Sequence, residues 1–315
     1  MAEAEPALHA GAPPRPADGF RSFTTVISLV APAVLILVVI IVVVTALPSI
    51  GTFGPGFVIS RAWNPPREQF GALPFIYGTV VTSVLALAMA LPVGIASALF
   101  LAERGMDWLR GALGIGVELL AAIPSVVYGI WGLYILAPWL LQHVSRPLAQ
   151  HAGAFPLFAG PAQQLNILIA SVILAVMILP TLSSISREVI RAVPGGLREA
   201  SVALGATWWE TVWRVVLPAA RGGIFGATIL SFGRALGETM AVTMTIGNRN
   251  DIPTSLLAPA YTLASKIANE FNEATGTLYP AALIELGLML MLVTLVVNLL
   301  ALVLVHRVSA AGLRI

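Results

Sequence analysis

EASVALGATWWETVWRVVLP, residues Glu199 to Pro218, is the stretch that organises this chain. Glu199 to Leu204 have good helix propensity, and Gly205 permits a bend that a side chain would obstruct. Pro218 stands against simple continuation into the next helix. The spacing predicts a helix-turn-helix lying along a membrane face. Its second arm sets Trp208, Trp209, Val212, Val215 and Val216 among Glu210 and Arg214, an amphipathic pattern suited to lipid or protein. By amphipathicity alone it is an interfacial connector.

On either side of this stretch the chain turns strongly apolar. Hydrophobic residues make up 58% and charged residues 10% of the 315, with a mean hydropathy of +0.91; soluble domains carry about a quarter charged residues. A soluble fold could not hide so much apolar surface. A helix of roughly 20 apolar residues crosses a bilayer core with every backbone group satisfied. Such runs fall at about 24–47, 74–102, 112–139, 165–190, 222–246 and 281–306, so the expected fold is all-α and polytopic, with six transmembrane helices. Pro92, Pro124 and Pro180 interrupt the helical ladder within three of them.

The segment ahead of the first run, 1–20, is rich in Ala and Pro and is expected to be a flexible tail, with the permease domain over 21–315. The first run exceeds the apolar core of a signal peptide and is read as a retained span. Cytoplasmic flanks of membrane helices carry the excess of Lys and Arg. With the amino terminus inside, the inner side holds Arg15, Arg21, Arg104, Arg110, Arg187, Arg191, Arg198, Arg214, Arg221, Arg307 and Arg314. The outer side holds Arg61, Arg67, Arg146, Arg249 and Lys266. Both termini and the 187–221 connection are therefore expected in the cytoplasm. The outer connections near 48–73, 140–164 and 247–280 read as long and mostly polar.

Several chemistries find no support. There is no cysteine, and the four histidines form no ligand spacing, so no metal site is expected. No Gly-x-x-x-x-Gly-Lys-Ser/Thr phosphate loop occurs, so ATP chemistry would belong to another polypeptide. No span gathers the acid, base or nucleophile of a membrane enzyme. One charged pair does fall within a span. Arg234 is expected roughly 18 Å into the fifth run, near the middle of a core about 30 Å thick. A guanidinium there costs about 2.5 to 3.5 kcal/mol and calls for a partner. Glu238, four residues on, would share its helical face. The pair fits either a packing element or an anion contact, since the planar fork of Arg donates two parallel hydrogen bonds to an oxyanion. Glu118 and Glu285 fall near expected span ends, where capping or snorkelling accounts for them equally well.

The Glu199–Pro218 pattern resembles the EAA loop of type I ABC importer permeases (MetI-like architecture), E-A-A-x(3)-G-x(9)-I-x-L-P. Ser201 stands for the second Ala and Val215 for Ile. The resemblance implies that Glu199, Ala200, Ser201, Gly205, Leu217 and Pro218 belong to a coupling helix that fits a groove on a separate ATPase. Three further segments, and the block Asn64-Pro65-x-x-Glu68-Gln69-Phe70-Gly71-Ala72-Leu73-Pro74-Phe75-Ile76-Tyr77-Gly78-Thr79, resemble the PstC-type permeases of phosphate importers. Those segments are Ile123 to Gly129, Gly237 to Val242 and Ile267 to Phe271. The PstA-type partner permeases share the coupling loop but lack the Asn64 block. Taken singly, Gly71, Gly78 and Gly129 are explained by close helix contacts, and Tyr77 and Tyr128 by interfacial anchoring.

What the resemblance implies is a non-catalytic subunit of a bacterial inner-membrane importer. It would pair with a PstA-type permease, dock a PstB-type ATPase homodimer and receive phosphate from a PstS-type external binding protein. Membrane lipid surrounds it. No cofactor is expected in this chain, ATP and Mg being bound by the ATPase, and Arg234 and Glu238 match positions implicated in phosphate passage. Sulfate or molybdate permeases and proton-coupled secondary transporters remain the alternatives, since one Arg–Glu pair does not set the ion.

Overall fold

A computed structural model describes residues 18–104 and 107–311. The expected tail lies outside the described residues as far as residue 17; from Asp18 the chain is helical. Helix α1 is Asp18–Phe53, α2 Leu73–Leu99, α3 Asp107–Ala122 and α4 Ser125–Trp131. Then come α5 Ile167–Arg191, α6 Gly195–Ala203, α7 Trp208–Thr211 and α8 Leu217–Leu236. The last three are α9 Met240–Thr245, α10 Leu263–Glu270 and α11 Leu278–Ala311. Among the described residues, six helical stretches are long and apolar enough to span a membrane. Residues up to Thr45 form one unit, and Ala46 onward forms another that holds every site described below.

The six stretches are Phe23–Phe53, Leu73–Glu103, Ser125–His151, Ile167–Arg191, Trp208–Leu236 and Leu278–Val303. Four lie close to the expected runs, and two are displaced. The run expected at 112–139 is divided at Pro124, because the residue before a proline is driven out of the α region. Ahead of the break, α3 has 16 residues, roughly 24 Å of helix against a core of about 30 Å. The third span begins only at Ser125 and extends to His151. The fifth starts at Trp208, fourteen residues before the expected 222, and its α-helix stops at Leu236.

Proline chemistry explains the early start. Wide π turns occupy Gly132–Leu136, Leu141–Ser145 and Val212–Val216, and each ends two residues before a proline: Pro138, Pro147 and Pro218. The residue ahead of each proline reaches five back, Ala137 N–H to Gly132 O, Arg146 N–H to Leu141 O and Leu217 N–H to Val212 O. In a regular α-helix the proline ring meets the carbonyl four residues back. The widened turn moves that carbonyl aside. Pro218 therefore does not end the second arm, as expected from sequence; the arm runs straight into α8. Pro92 and Pro180 are carried inside α2 and α5.

Helix α5 is the buried centre, packed against both α2 and α8. Along α2 a buried row of Gly78, Thr82, Ala86, Ala90, Gly94 and Ala98 recurs every four residues, the spacing of one helix face. Such small residues let membrane helices approach closely. A Cβ on Gly94 would lie 2.7 Å from Leu182 Cδ2 of α5. Ser183 Oγ and Ser97 Oγ add a 3.0 Å hydrogen bond between the same helices.

The 247–280 connection is not a polar surface loop. Ser255, Leu256, Leu257, Ala260, Tyr261 and Thr262 are buried, and backbone bonds stitch the segment down. Leu168 N–H donates to Leu256 O (3.0 Å), Ile167 N–H to Ala258 O (3.2 Å) and Ala260 N–H to Ile246 O (3.1 Å). Irregular backbone beside membrane helices is tolerated where protein covers it and its polar groups are paired. The segment also meets the start of α2: Leu263 N–H donates to Thr79 Oγ1 (2.9 Å) and Tyr77 OH to Pro253 O (2.6 Å). A Cβ on Gly78 would sit 2.0 Å from Tyr261 O, which leaves room only for glycine.

Candidate functional site

Three sites stand out: the arm around Gly205, the helix break around Arg234, and a buried lysine at the opposite end of α2 from the arm.

The arm is built by local sequence. Gly205 follows α6 with φ +85°, and a Cβ there would meet nothing within 4 Å. Its glycine is thus required by backbone conformation, not by space. Thr207 then caps α7: its Oγ1 accepts from Glu210 N–H (3.3 Å), and Glu210 Oε2 accepts from Thr207 N–H (2.9 Å). This reciprocal box fixes where the second arm starts. Ser201 and Thr211 hydroxyls, 2.9 Å apart, tie the arms together. Glu199, Ala200 and Gly205 are exposed, and Leu204 between them is 90% exposed. A hollow of about 400 Å³ opens beside them, lined by Ser201, Leu204, Gly205, Ala206, Glu210, Arg214 and Val215.

Leu217 and Pro218 stand apart from this tip. They belong to the first turn of α8, and Leu217 lines an apolar cavity of about 790 Å³ with Trp208, Trp209 and Trp213. The six motif residues therefore divide into an exposed tip and a helix-shaping pair.

Arg198, one residue before the motif, is the most heavily bonded side chain of the arm. Its Nη2 lies 2.7 Å from Glu103 Oε1, at the end of the α2 span. It also donates to the carbonyls of Ile190 (2.8 Å) and Val193, at the end of α5. Ile190 lies in the last turn of α5 and Val193 two residues past its end, where cations are favoured. Arg191 Nη2 adds a bond to Leu101 O at 3.2 Å. Nothing in the sequence flags Glu103 as the partner of Arg198, since 95 residues separate them.

At the second site the helix expected to carry both charges breaks. Gly237 ends α8, and Glu238 lies in the break before α9, where its Oε1 accepts a long 3.4 Å bond from Ala241 N–H. The four-residue spacing therefore does not place Arg234 and Glu238 on one helical face. Among the described residues no ion pair within 4.0 Å joins them. Arg234 Nη1 instead donates to Thr181 Oγ1 (3.3 Å), next to Pro180 in α5. Arg234 is exposed in this chain and Glu238 half-buried. Tyr128 is within electrostatic reach of Arg234, and its hydroxyl donates to Leu120 O at 2.8 Å. A fork-shaped cation thus stands on open surface beside an interrupted helix, the arrangement that membrane transporters use around ions.

The other acids resolve differently. Glu118 of α3 faces Arg187 of α5 at 3.7 Å. Glu285 is 3% exposed within α11, so it neither snorkels nor caps a helix end.

The third site joins two blocks quoted separately from the sequence. Lys266 of α10 is 1% exposed and pairs with Glu270 one turn on. Its Nζ also bonds Asn250 Oδ1 (3.0 Å) and lies 4.9, 5.2 and 4.7 Å from the ring centres of Trp63, Phe75 and Tyr261. Glu270 Oε2 accepts from Trp63 Nε1 (2.8 Å) and Tyr279 OH (2.7 Å). Burial holds the ammonium below its ordinary 10.5, opposed by Glu270, as expected for a desolvated cation. Burial likewise raises the Tyr261 phenol. The sequence marked Lys266 only as the sole lysine, on the outer side.

Known proteins resemble this chain over most of its length. A family model described as "Binding-protein-dependent transport system inner membrane component" matches residues 90–310. The PstC phosphate transport system permease protein of Mesorhizobium japonicum is 46% identical over 289 residues, 89% of this chain and 88% of that protein. That of Pasteurella multocida is 42% identical, covering 92% of each. A probable PstC of Methanocaldococcus jannaschii is 34% identical over 93% of this chain and 95% of its own length. Among solved structures, a chain of a bacterial alginate ABC transporter in complex with its alginate-bound periplasmic protein superposes with a TM-score of 0.60. It is 18% identical, covers 94% of this chain and 99% of that one, and speaks to the fold alone. With six spanning helices, a two-armed loop before the fifth and a family model over more than half its length, the chain belongs to the binding-protein-dependent transport system inner membrane components, as a PstC-type permease subunit.

Proposed function

We propose that this chain is the PstC-type half of an ATP-driven inorganic phosphate importer. The observation that carries the reading is the Arg234 guanidinium, on open surface beside the break at Gly237 and steadied by Thr181. A tetrahedral oxyanion matches its fork. Glu238, close in sequence but not bonded to it, would limit retention, since a transported ion must also leave. A PstA-type permease would close the open side of the pathway. A PstS-type binding protein would deliver phosphate from outside, and a PstB-type ATPase homodimer, holding ATP and Mg, would drive alternating access. The arm is the docking element in this scheme, with both termini on the same cytoplasmic side.

The scheme is tested by reconstituting the chain with its partner permease and ATPase in liposomes, adding the external binding protein, and measuring phosphate uptake. Uptake that requires ATP, and that a large excess of sulfate does not displace, is expected. Uptake driven by a pH gradient without the ATPase would overturn it. For the arm, Gly205→Val is expected to abolish ATPase association, because a left-handed conformation costs an L-residue about 1–2 kcal/mol and more with β-branching. Gly205→Asn should be milder, since Asn tolerates that region. ATP-driven uptake by the valine variant at the wild-type rate would remove the docking role.

A further inference from the structure

Motion at the arm must reach the far end of the molecule, and the visible link along the chain, the α7–α8 helix, leads only to the Arg234 break. A second link is built from side chains. Arg198 in α6 grips Glu103, the last residue of the α2 span, at 2.7 Å. The pair is largely shielded, with side-chain exposures of 25% and 10%. Two further bonds from the same guanidinium hold the carbonyls of Ile190, in the last turn of α5, and of Val193, just past it. One planar cation therefore clamps three elements: α6, the end of α2 and the end of α5. A point-charge lysine cannot make that set of bonds.

Helix α2 then carries the contact away from the arm. Its small-residue row keys it to α5, as at Gly94 against Leu182. Its other end is bonded to the buried 247–262 segment through Thr79 to Leu263 and Tyr77 to Pro253. A helix gripped at both ends and close-packed between transmits displacement, since packed interiors compress little.

We propose that Arg198 and Glu103 form a strut that makes α6 and α2 move as one body, carrying closure of the docked ATPase along α2 to the buried 247–262 segment bonded to its other end. Both are positioning residues: neither touches the transported ion. The proposal rests on the reading of the arm as the ATPase dock, and its test separates the two.

The full complex is purified with Leu204→Cys in the exposed tip, with and without Glu103→Gln, and placed in liposomes. Cross-linking from Cys at 204 to the ATPase reports docking, and phosphate taken up per ATP hydrolysed reports transmission. With Glu103→Gln, the cross-link and basal ATPase are expected to persist while uptake per ATP falls about five- to tenfold, in the range of coupling energies carried by single contacts. A merely structural role would lower uptake and hydrolysis together and leave the ratio alone. The Glu103→Gln/Arg198→Gln double variant should be no worse than Arg198→Gln alone, because both remove the same contact. A wild-type ratio in the cross-linked Glu103→Gln complex, or additive losses in the double variant, would overturn the strut. Absence of the cross-link without Glu103→Gln would instead overturn the docking reading, and the strut with it. If Glu103→Gln does not assemble, Arg198→Lys is read by the same ratio: a drop of about twofold or more supports the strut, and an unchanged ratio overturns it.

Discussion

Replacing Arg234 by alanine is expected to stop phosphate uptake, by about 100-fold or more, while the complex still assembles. The side chain is exposed at a helix terminus, and its one bond, to Thr181, is long. Little packing is lost with it. In the proposed pathway, with its open side closed by the partner permease, what would be lost is a charged donor pair facing an oxyanion, and truncation of such a partner costs about 2–5 kcal/mol. Each 1.4 kcal/mol is about tenfold. Arg234→Lys keeps the charge without the fork and should retain uptake within about tenfold of wild type. Glu238→Gln keeps an acceptor for Ala241 N–H and is expected to change uptake far less than Arg234→Ala. Initial rates of labelled phosphate entry, normalised to assembled complex, decide the order. Undiminished entry with Arg234→Ala would return the residue to a packing role.

The second large effect concerns stability. Glu270→Gln strands the Lys266 ammonium in a site 1% exposed, with Asn250 and three aromatic rings as its remaining partners. Breaking a buried ion pair from one side costs about 3–5 kcal/mol, which for a chain of this size lowers Tm by on the order of 10 °C. The double variant Lys266→Met/Glu270→Gln should recover much of that, because no charge is left without a partner. A pH signature accompanies it. Burial already holds Lys266 below 10.5, and Glu270 opposes the shift; removing Glu270 lowers the ammonium further. Between the folded value and 10.5 the unfolded chain then binds the extra proton, so stability rises as pH climbs through that window. The slope should be steeper for Glu270→Gln than for wild type and absent from the double variant. Thermal scans in detergent at several pH values test this, and a Glu270→Gln Tm equal to wild type would contradict it.

Spanning helices were legible where one helix fills the apolar run, as at 74–102 and 165–190, which carry Pro92 and Pro180 without dividing. The third run was misjudged because residues on both sides of Pro124 are equally apolar, and hydropathy does not register a backbone that leaves the α region there. Pro218 misled in the opposite direction: it reads as a stop, yet the π turn ahead of it lets the helix pass. The tip at Glu199, Ala200 and Gly205, with Ser201 half-buried behind it, was readable because its spacing is local. Arg198 with Glu103, Arg234 with Thr181 and Lys266 with Trp63 were not. Each joins residues far apart in the chain, and no periodicity within one segment records such a meeting. The Arg234–Glu238 pairing failed for a related reason, since four-residue spacing implies contact only while the helix is intact, and Gly237 ends it.

A π turn is an α-helix holding one residue more than it needs. Removing one residue between Val212 and Val216 would close the wide turn, set the Pro218 ring against the carbonyl four residues back, advance α8 by about 1.5 Å and turn it by about 100° relative to the arm. Arg234 would then swing off its open face, while Gly205 and the capping box at Thr207 stayed where they are. In the proposed scheme the wide turn thus sets the phase between the surface that would meet the ATPase and the charge that would meet the ion, so the length of this short segment would matter to transport as much as the residues at either end of it.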